Sequence, residues 1–161
     1  MGLIDFVPSA GAQGIGVADA LAAASAPNAT DLEQKAADAI GNAVTANGLT
    51  ADGLDITFDA ATAMVTVRGD APDTDTKEKI LLVCGNIKGV ATVNDEIFAT
   101  APSEPSQYYT VTAGDSLAKI AAQYYGNANH YPKIVEANRP MLVNADKIYP
   151  GQLLRIPPQT W

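Results

Sequence analysis

Two stretches of this chain carry main-chain oxygens that could be gathered around an ion. The helix pattern that ends near Cys84 leaves its last carbonyls without intrahelical partners, at the negative end of the helix dipole. Gly85-Asn86 follows at once and can turn the chain so that those oxygens converge. Near the N-terminus, Phe6-Val7-Pro8-Ser9-Ala10-Gly11 supplies a second set, since Pro8 has no amide to donate and Gly11 can bend. Several neutral oxygens suit a large, singly charged cation, which carboxylates hold weakly. The plainer reading is a helix C-cap satisfied by glycine and by nearby Lys88. On the residues alone the plainer reading is the favoured one.

The remaining reactive side chains form no such set. Asp70, Asp73 and Asp75 cluster at a helix start, but they lack the glycine and the distal glutamate of a calcium-binding loop. Carboxylates placed there serve the helix dipole. Cys84 sits on an apolar helix face and reads as a buried, inert thiol; His130 lies far from it in sequence. There is no nucleophile elbow, phosphate loop or His/Cys cluster, so the expectation is a protein without enzymatic activity.

The elements that must place these groups are legible in part. Leu32, Ala36, Ile40 and Val44 make one helical stripe, with Thr30 and Glu33 spaced as a capping box and Asn47-Gly48 as its stop. Leu54, Ile56 and Phe58 alternate with polar residues as a strand, and Val65 and Val67 continue as its partner. Ile80, Val83, Cys84 and Ile87 mark the buried face of a second helix. Val90 to Phe98 reads as a third strand. The order is αββαβ. A connector, Thr100 to Ser106, contains Pro102 and Pro105 and reads as short and stiff. Beyond it, Leu117, Ile120, Ala121 and Tyr124 form a helix face, with Ser116 as cap and Gly126 as stop. A further helix is expected over Tyr131 to Ala137.

The chain has 161 residues and a net charge of −8. Residues 1–106 hold 5 Lys/Arg against 15 Asp/Glu, while residues 107–161 hold 5 against 3. Such a split favours two modules, and it argues against nucleic acid, which needs a basic face. Gly11 to Ala26 is apolar and ends Ala24-Ser25-Ala26, but no basic residue precedes Lys35, and Asp5 and Asp19 sit where an export signal is uncharged. A cytoplasmic protein is therefore expected, with no membrane span. A helix is expected over Val17 to Ser25.

Tyr108-Tyr109-Thr110-Val111, Gly114-Asp115-Ser116-Leu117 and Ile148-Tyr149-Pro150-Gly151-Gln152-Leu153-Leu154-Arg155-Ile156-Pro157 resemble the LysM module, a small βααβ glycan-binding domain. Val65-Thr66-Val67-Arg68-Gly69 and Gly85-Asn86-Ile87-Lys88-Gly89-Val90 look like a BON domain. The resemblance implies an α+β protein: a lead segment at 1–29, a BON domain at 30–99, a linker at 100–106 and a LysM domain at 107–158. The combination, with Phe6-Val7, Lys77-Glu78-Lys79-Ile80-Leu81, Tyr125-Gly126-Asn127-Ala128-Asn129 and Asp146-Lys147, resembles a family of small bacterial cytoplasmic potassium-binding proteins. The likeness departs between about Gln13 and Ala26, where Ala and Gly replace a more charged helix.

That resemblance implies K+ as the ligand, held by main-chain carbonyls of Val7, Ala10, Gly85, Asn86 and Ile87. It also implies contact between the two domains, in a sensor or buffer that orders and compacts around the ion. The alternative it carries is binding of peptidoglycan or N-acetylglucosamine. In LysM relatives the glycan lies between the first helix turn and the loop before the last strand. The matching positions are Gly114, Asp115, Ser116, Leu117, Ala145, Lys147 and Ile148.

Overall fold

The structure, a computed structural model, describes residues 2–8, 29–142 and 144–159. Ala10 and the helix expected over Val17 to Ser25 lie outside the described residues. The fold is α+β, in two units with separate cores.

The first unit is a four-stranded sheet with two helices on one face. Its strands are β1 (Gly2–Asp5), β2 (Asp52–Asp59), β3 (Met64–Asp73) and β4 (Thr92–Ala101), in the order β1-β4-β3-β2. Helix α1 spans Ala29–Ala46 and α2 spans Thr74–Gly85. β2 and β3 form an antiparallel hairpin. β3 and β4 are parallel, which requires a crossover, and α2 is that crossover. Alternate residues of the strands point inward: Val65 and Val67 on β3, Val93 and Ile97 on β4. They meet Ala36, Ile40 and Val44 of α1 and Ile80, Leu81 and Cys84 of α2.

The αββαβ order expected for this region is the order observed, with β1 added in front. Four residues are too few to show a strand period, so β1 was not legible; its pairing with β4 (Leu3 opposite Asn94, Ile4 opposite Val93) makes it a strand. The third strand runs Thr92–Ala101 rather than Val90 to Phe98. Glu33 does not close a capping box on Thr30. Its Oε2 accepts from Ala60 N at 2.7 Å, on the turn between β2 and β3.

The second unit pairs β5 (Gln107–Thr110) with β6 (Leu153–Ile156), antiparallel. Helices α3 (Leu117–Tyr125) and α4 (Tyr131–Ala137) lie between them in sequence. Ser116 caps α3 by accepting from Lys119 N at 3.2 Å. Gly126 ends it at φ 73°, a left-handed position that glycine takes without a Cβ clash. Leu117, Ile120, Ile134, Leu142 and Leu154 make its core.

The units are in contact. Leu153 belongs to the first unit's core, and Tyr108 and Met141 pack against that core. The connector between them is also tied down: Ser103 N donates to Thr74 Oγ1 at 2.9 Å and Ser106 N to Glu78 Oε2 at 2.9 Å. Among the described residues, no helix is long and apolar enough to cross a membrane.

Candidate functional site

Of the lead segment singled out in the sequence, the described residues Phe6 to Pro8 pass the C-terminal end of α2. Phe6 leaves β1 and donates its N–H to Ala91 O at 2.9 Å, and its ring is buried over Gly85. A Cβ built on Gly85 would lie 2.0–2.3 Å from the ring carbons of Phe6. No side chain fits there, so glycine at 85 is what admits the lead segment. Two residues on, Gly89 N donates to Pro8 O at 2.6 Å. Val7 is thus held between two anchored neighbours, beside the turn that contains Gly85, Asn86 and Ile87.

Some oxygens of this corner are already engaged. Leu82 O accepts from Asn86 N at 2.9 Å, and Ile87 O accepts from Val90 N at 3.0 Å. A carbonyl has two lone pairs, so Ile87 O keeps one for another partner. The oxygens of Val7, Gly85 and Asn86 accept none of these bonds. Gly85 and Asn86 stand at the negative end of α2, with the Phe6 ring on Gly85 and Pro8 tied to Gly89 beside them. That arrangement can offer neutral oxygens to a cation without any carboxylate.

The side chain of Asn86 does something that sequence reasoning did not anticipate. Its Nδ2 donates to Leu153 O at 2.8 Å and its Oδ1 accepts from Leu153 N at 2.9 Å. The amide behaves as one residue of a partner strand along the outer edge of β6. Asn138 does the same two residues on, accepting from Arg155 N at 2.9 Å and donating to Arg155 O at 3.0 Å. One of these clasps comes from the first unit and the other from the second.

The residue held by the second clasp, Arg155, enters a buried ion pair. Arg155 is 4% exposed and Glu78 is 3% exposed. Arg155 Nε and Nη2 donate to Glu78 Oε1 at 3.1 and 2.8 Å, Nη2 also to Ser106 Oγ at 3.1 Å, and Nη1 to Ala137 O at 2.8 Å and to Asp75 Oδ1. A guanidinium has five N–H donors, and these are five bonds. A buried charge is tolerated only when paired and hydrogen-bonded throughout. One signal was visible in the sequence: a lone arginine inside the apolar run Leu153-Leu154-Arg155-Ile156.

The acidic cluster has other work. Asp73 is the N-cap of α2, accepting from Thr76 N at 2.7 Å. That bond from the Thr76 amide holds its carboxyl below the usual range. Asp75 pairs with Arg155 and with Lys79, the latter at 3.2 Å, and Asp70 is exposed. Among the described residues, no group of three His, Cys, Asp or Glu is placed to hold a metal ion. Cys84 is buried, and burial pushes its thiol up to about 12, so it stays protonated and unreactive. His130 belongs to the other unit, edge-on to Tyr125.

The positions matched to a glycan groove fall into two groups. Gly114, Asp115, Ser116 and Leu117 form the entry to α3. Asp115 Oδ2 accepts from Tyr109 Oη at 2.6 Å, Thr112 N at 2.8 Å and Thr112 Oγ1 at 2.9 Å. The bond from Tyr109 lowers the Asp115 carboxyl and raises the Tyr109 phenol. Leu117 is in the second core, and Ala145 and Ile148 pack against it. Lys147 lines a cavity of about 410 Å³ between the units, together with Asn86 and Ile87. The groove positions are therefore committed to fold and interface through their side chains, and what they leave for a ligand is mostly main chain.

Compared with known proteins, residues 109–157 match the LysM domain family. The chain is 52% identical over 102 residues to the potassium binding protein Kbp of Escherichia coli O6:H1, covering 63% of this chain and 68% of that protein. It is 55% identical over 49 residues to an uncharacterized protein of Deinococcus radiodurans, covering 30% of this chain and 19% of that one.

Proposed function

The chain belongs to the family of the potassium binding protein Kbp, and from that premise we propose that it binds K+ selectively, as a cytoplasmic sensor or buffer. In this reading the N-terminal unit is a BON domain. The ligands are main-chain carbonyls of Val7, Ala10, Gly85, Asn86 and Ile87. One observation carries the assignment: the Phe6 ring lies on Gly85 where no Cβ fits, which folds the lead segment over the carbonyl end of α2. A shell of neutral oxygens sized for the larger ion discriminates against Na+. Phe6 to Pro8 and Asn86 lie outside helix and strand, so an ion that binds only their ordered form stabilises that form by mass action. The domain contact is expected to tighten with it, giving a more compact molecule.

Calorimetry with KCl and NaCl at matched ionic strength is the test. K+ should give a saturable heat and Na+ none, and deletion of residues 1–11 should abolish the K+ signal. Equal weak heats for both ions would defeat the proposal.

A second reading, weak glycan binding, is supported by the LysM match alone. Pull-down on purified peptidoglycan tests it, and tight retention would make it the primary function.

A further inference from the structure

We propose that the groove between α1 and the free edge of β2 receives an extended, basic peptide segment of a partner protein, which joins the sheet as an added strand. This is independent of the K+ reading. β2 stands at the end of the sheet, and among the described residues its one strand partner is β3. β2 spans Asp52–Asp59; its register shifts between Asp52 and Asp55, and the regular stretch from Asp55 to Asp59 leaves main-chain donors and acceptors facing away from β3, the template on which another strand pairs.

Helix α1 runs alongside that edge and the two enclose a groove of about 650 Å³. Small residues keep it open. Ala37 and Gly41 line it from the helix, and a Cβ on Gly41 would find only Ile56 Cδ1, at 3.8 Å. Leu54 and Ile56 are half-buried and form the apolar wall opposite. An incoming strand would lay alternate side chains over that wall and turn the others outward.

Charge decides the occupant. The charged residues lining the groove are Asp38 and Asp55, with no Lys or Arg among them. Asp52 and Asp59 are exposed on the same strand. Arg68, on β3, approaches Asp55 only to 3.9 Å. A second copy of the chain would set these acids against their own kind, where like charges on paired strands repel. A basic segment meets opposite charge at Asp38 and Asp55, and at Asp52 and Asp59 along the strand. The acidic edge thus resists self-pairing while remaining open to a cationic strand.

The test uses the full chain and two fluorescein-labelled peptides, Lys-Val-Lys-Val-Lys-Val and Glu-Val-Glu-Val-Glu-Val, read by anisotropy and by backbone amide shifts. The lysine peptide should bind saturably, shift amides of Leu54 to Thr57 and Gln34 to Thr45, and weaken as salt rises. Gly41→Leu should fill the groove and weaken binding by at least about tenfold. Leucine is the better helix former, so that loss is not unfolding, which the thermal midpoint checks. Four results would overturn the proposal: no saturable binding, equal binding of the glutamate peptide, unchanged affinity in Gly41→Leu, or shifts mapping elsewhere. A dimer in sedimentation that Gly41→Leu abolishes would replace the partner with a second copy.

Discussion

Replacing Gly85 by alanine sets two effects of known size against each other. Alanine is favoured over glycine in a helix by about 1 kcal/mol, and less at the last helical position, where Gly85 sits. If nothing lay against it, Gly85→Ala would stabilise the protein by a few tenths to about 1 kcal/mol. But the new methyl would be 2.0–2.3 Å from the Phe6 ring. Ordinary carbon contacts are about 3.5–4.0 Å, so the ring must retreat by roughly 1.5 Å. Phe6 is 8% exposed, and burial of such a side chain is worth about 1.5–3 kcal/mol. Displacement wins: the expected result is a net loss of about 1–2 kcal/mol. Urea unfolding measures this, and calorimetry should show K+ binding weakened in the same variant. The control is Phe6→Ala, which removes the obstacle. In that background Gly85→Ala should be neutral or stabilising, reversing its sign. A Gly85→Ala protein more stable than the parent, with K+ binding intact, would refute the docking of the lead segment over α2.

Three further outcomes are expected. Glu78→Ala takes from the Arg155 guanidinium its buried carboxylate partner and two of its five bonds and should cost about 3 kcal/mol, while the double variant Glu78→Leu/Arg155→Leu should recover most of it; denaturant melts measure both. Asn86→Ala leaves the Leu153 N–H and C=O without their partner and should cost about 2 kcal/mol, whereas K+ affinity should persist, because the proposed ligand at that position is the main chain. Asp73→Asn keeps a good helix cap without a titrating group. The wild-type carboxyl is lowered by the Thr76 amide, so its contribution is complete above the ordinary carboxylate range and is lost as pH falls through the lowered value. Acid unfolding should therefore show the parent losing stability relative to Asp73→Asn below about pH 4. Parallel acid limbs would refute the cap.

Periodic features of the fold were legible in the sequence and contacts between distant segments were not. The stripe Leu32, Ala36, Ile40, Val44 and the helix face Leu117, Ile120, Ala121, Tyr124 announce helices because their spacing is set locally. Ser116, Gly126 and Tyr131–Ala137 were readable for the same reason. β1 was not, since what makes Gly2–Asp5 a strand is β4, some ninety residues away. Glu33 satisfies a local rule and is drawn away by Ala60. At the candidate site, glycine at 85 was visible as a turn, but its reason is an aromatic ring from the far end of the domain. Glu78 and Arg155 are 77 positions apart, and only the misplaced charge in an apolar strand hinted at a partner.

Residue 86 links the two halves of the proposed function, because its main chain and its side chain face different tasks. The carbonyl belongs to the corner where the lead segment meets α2, and the amide grips β6 of the other unit. A change in backbone at Gly85–Ile87 must therefore move the group that holds Leu153. Two residues along the same strand, Arg155 is fixed to Glu78 and to Asp75 on α2. Strand β6 is thus attached to α2 at its C-terminal end through Asn86 and nearer its N-terminal end through Glu78 and Asp75. The second attachment does not depend on the corner. An ion that orders the corner would tighten the first attachment while the second holds the strand in register, so the LysM unit would settle onto α2 rather than dock anew. Contact between the units is then expected to survive without K+ and to break only when Arg155 loses its partners.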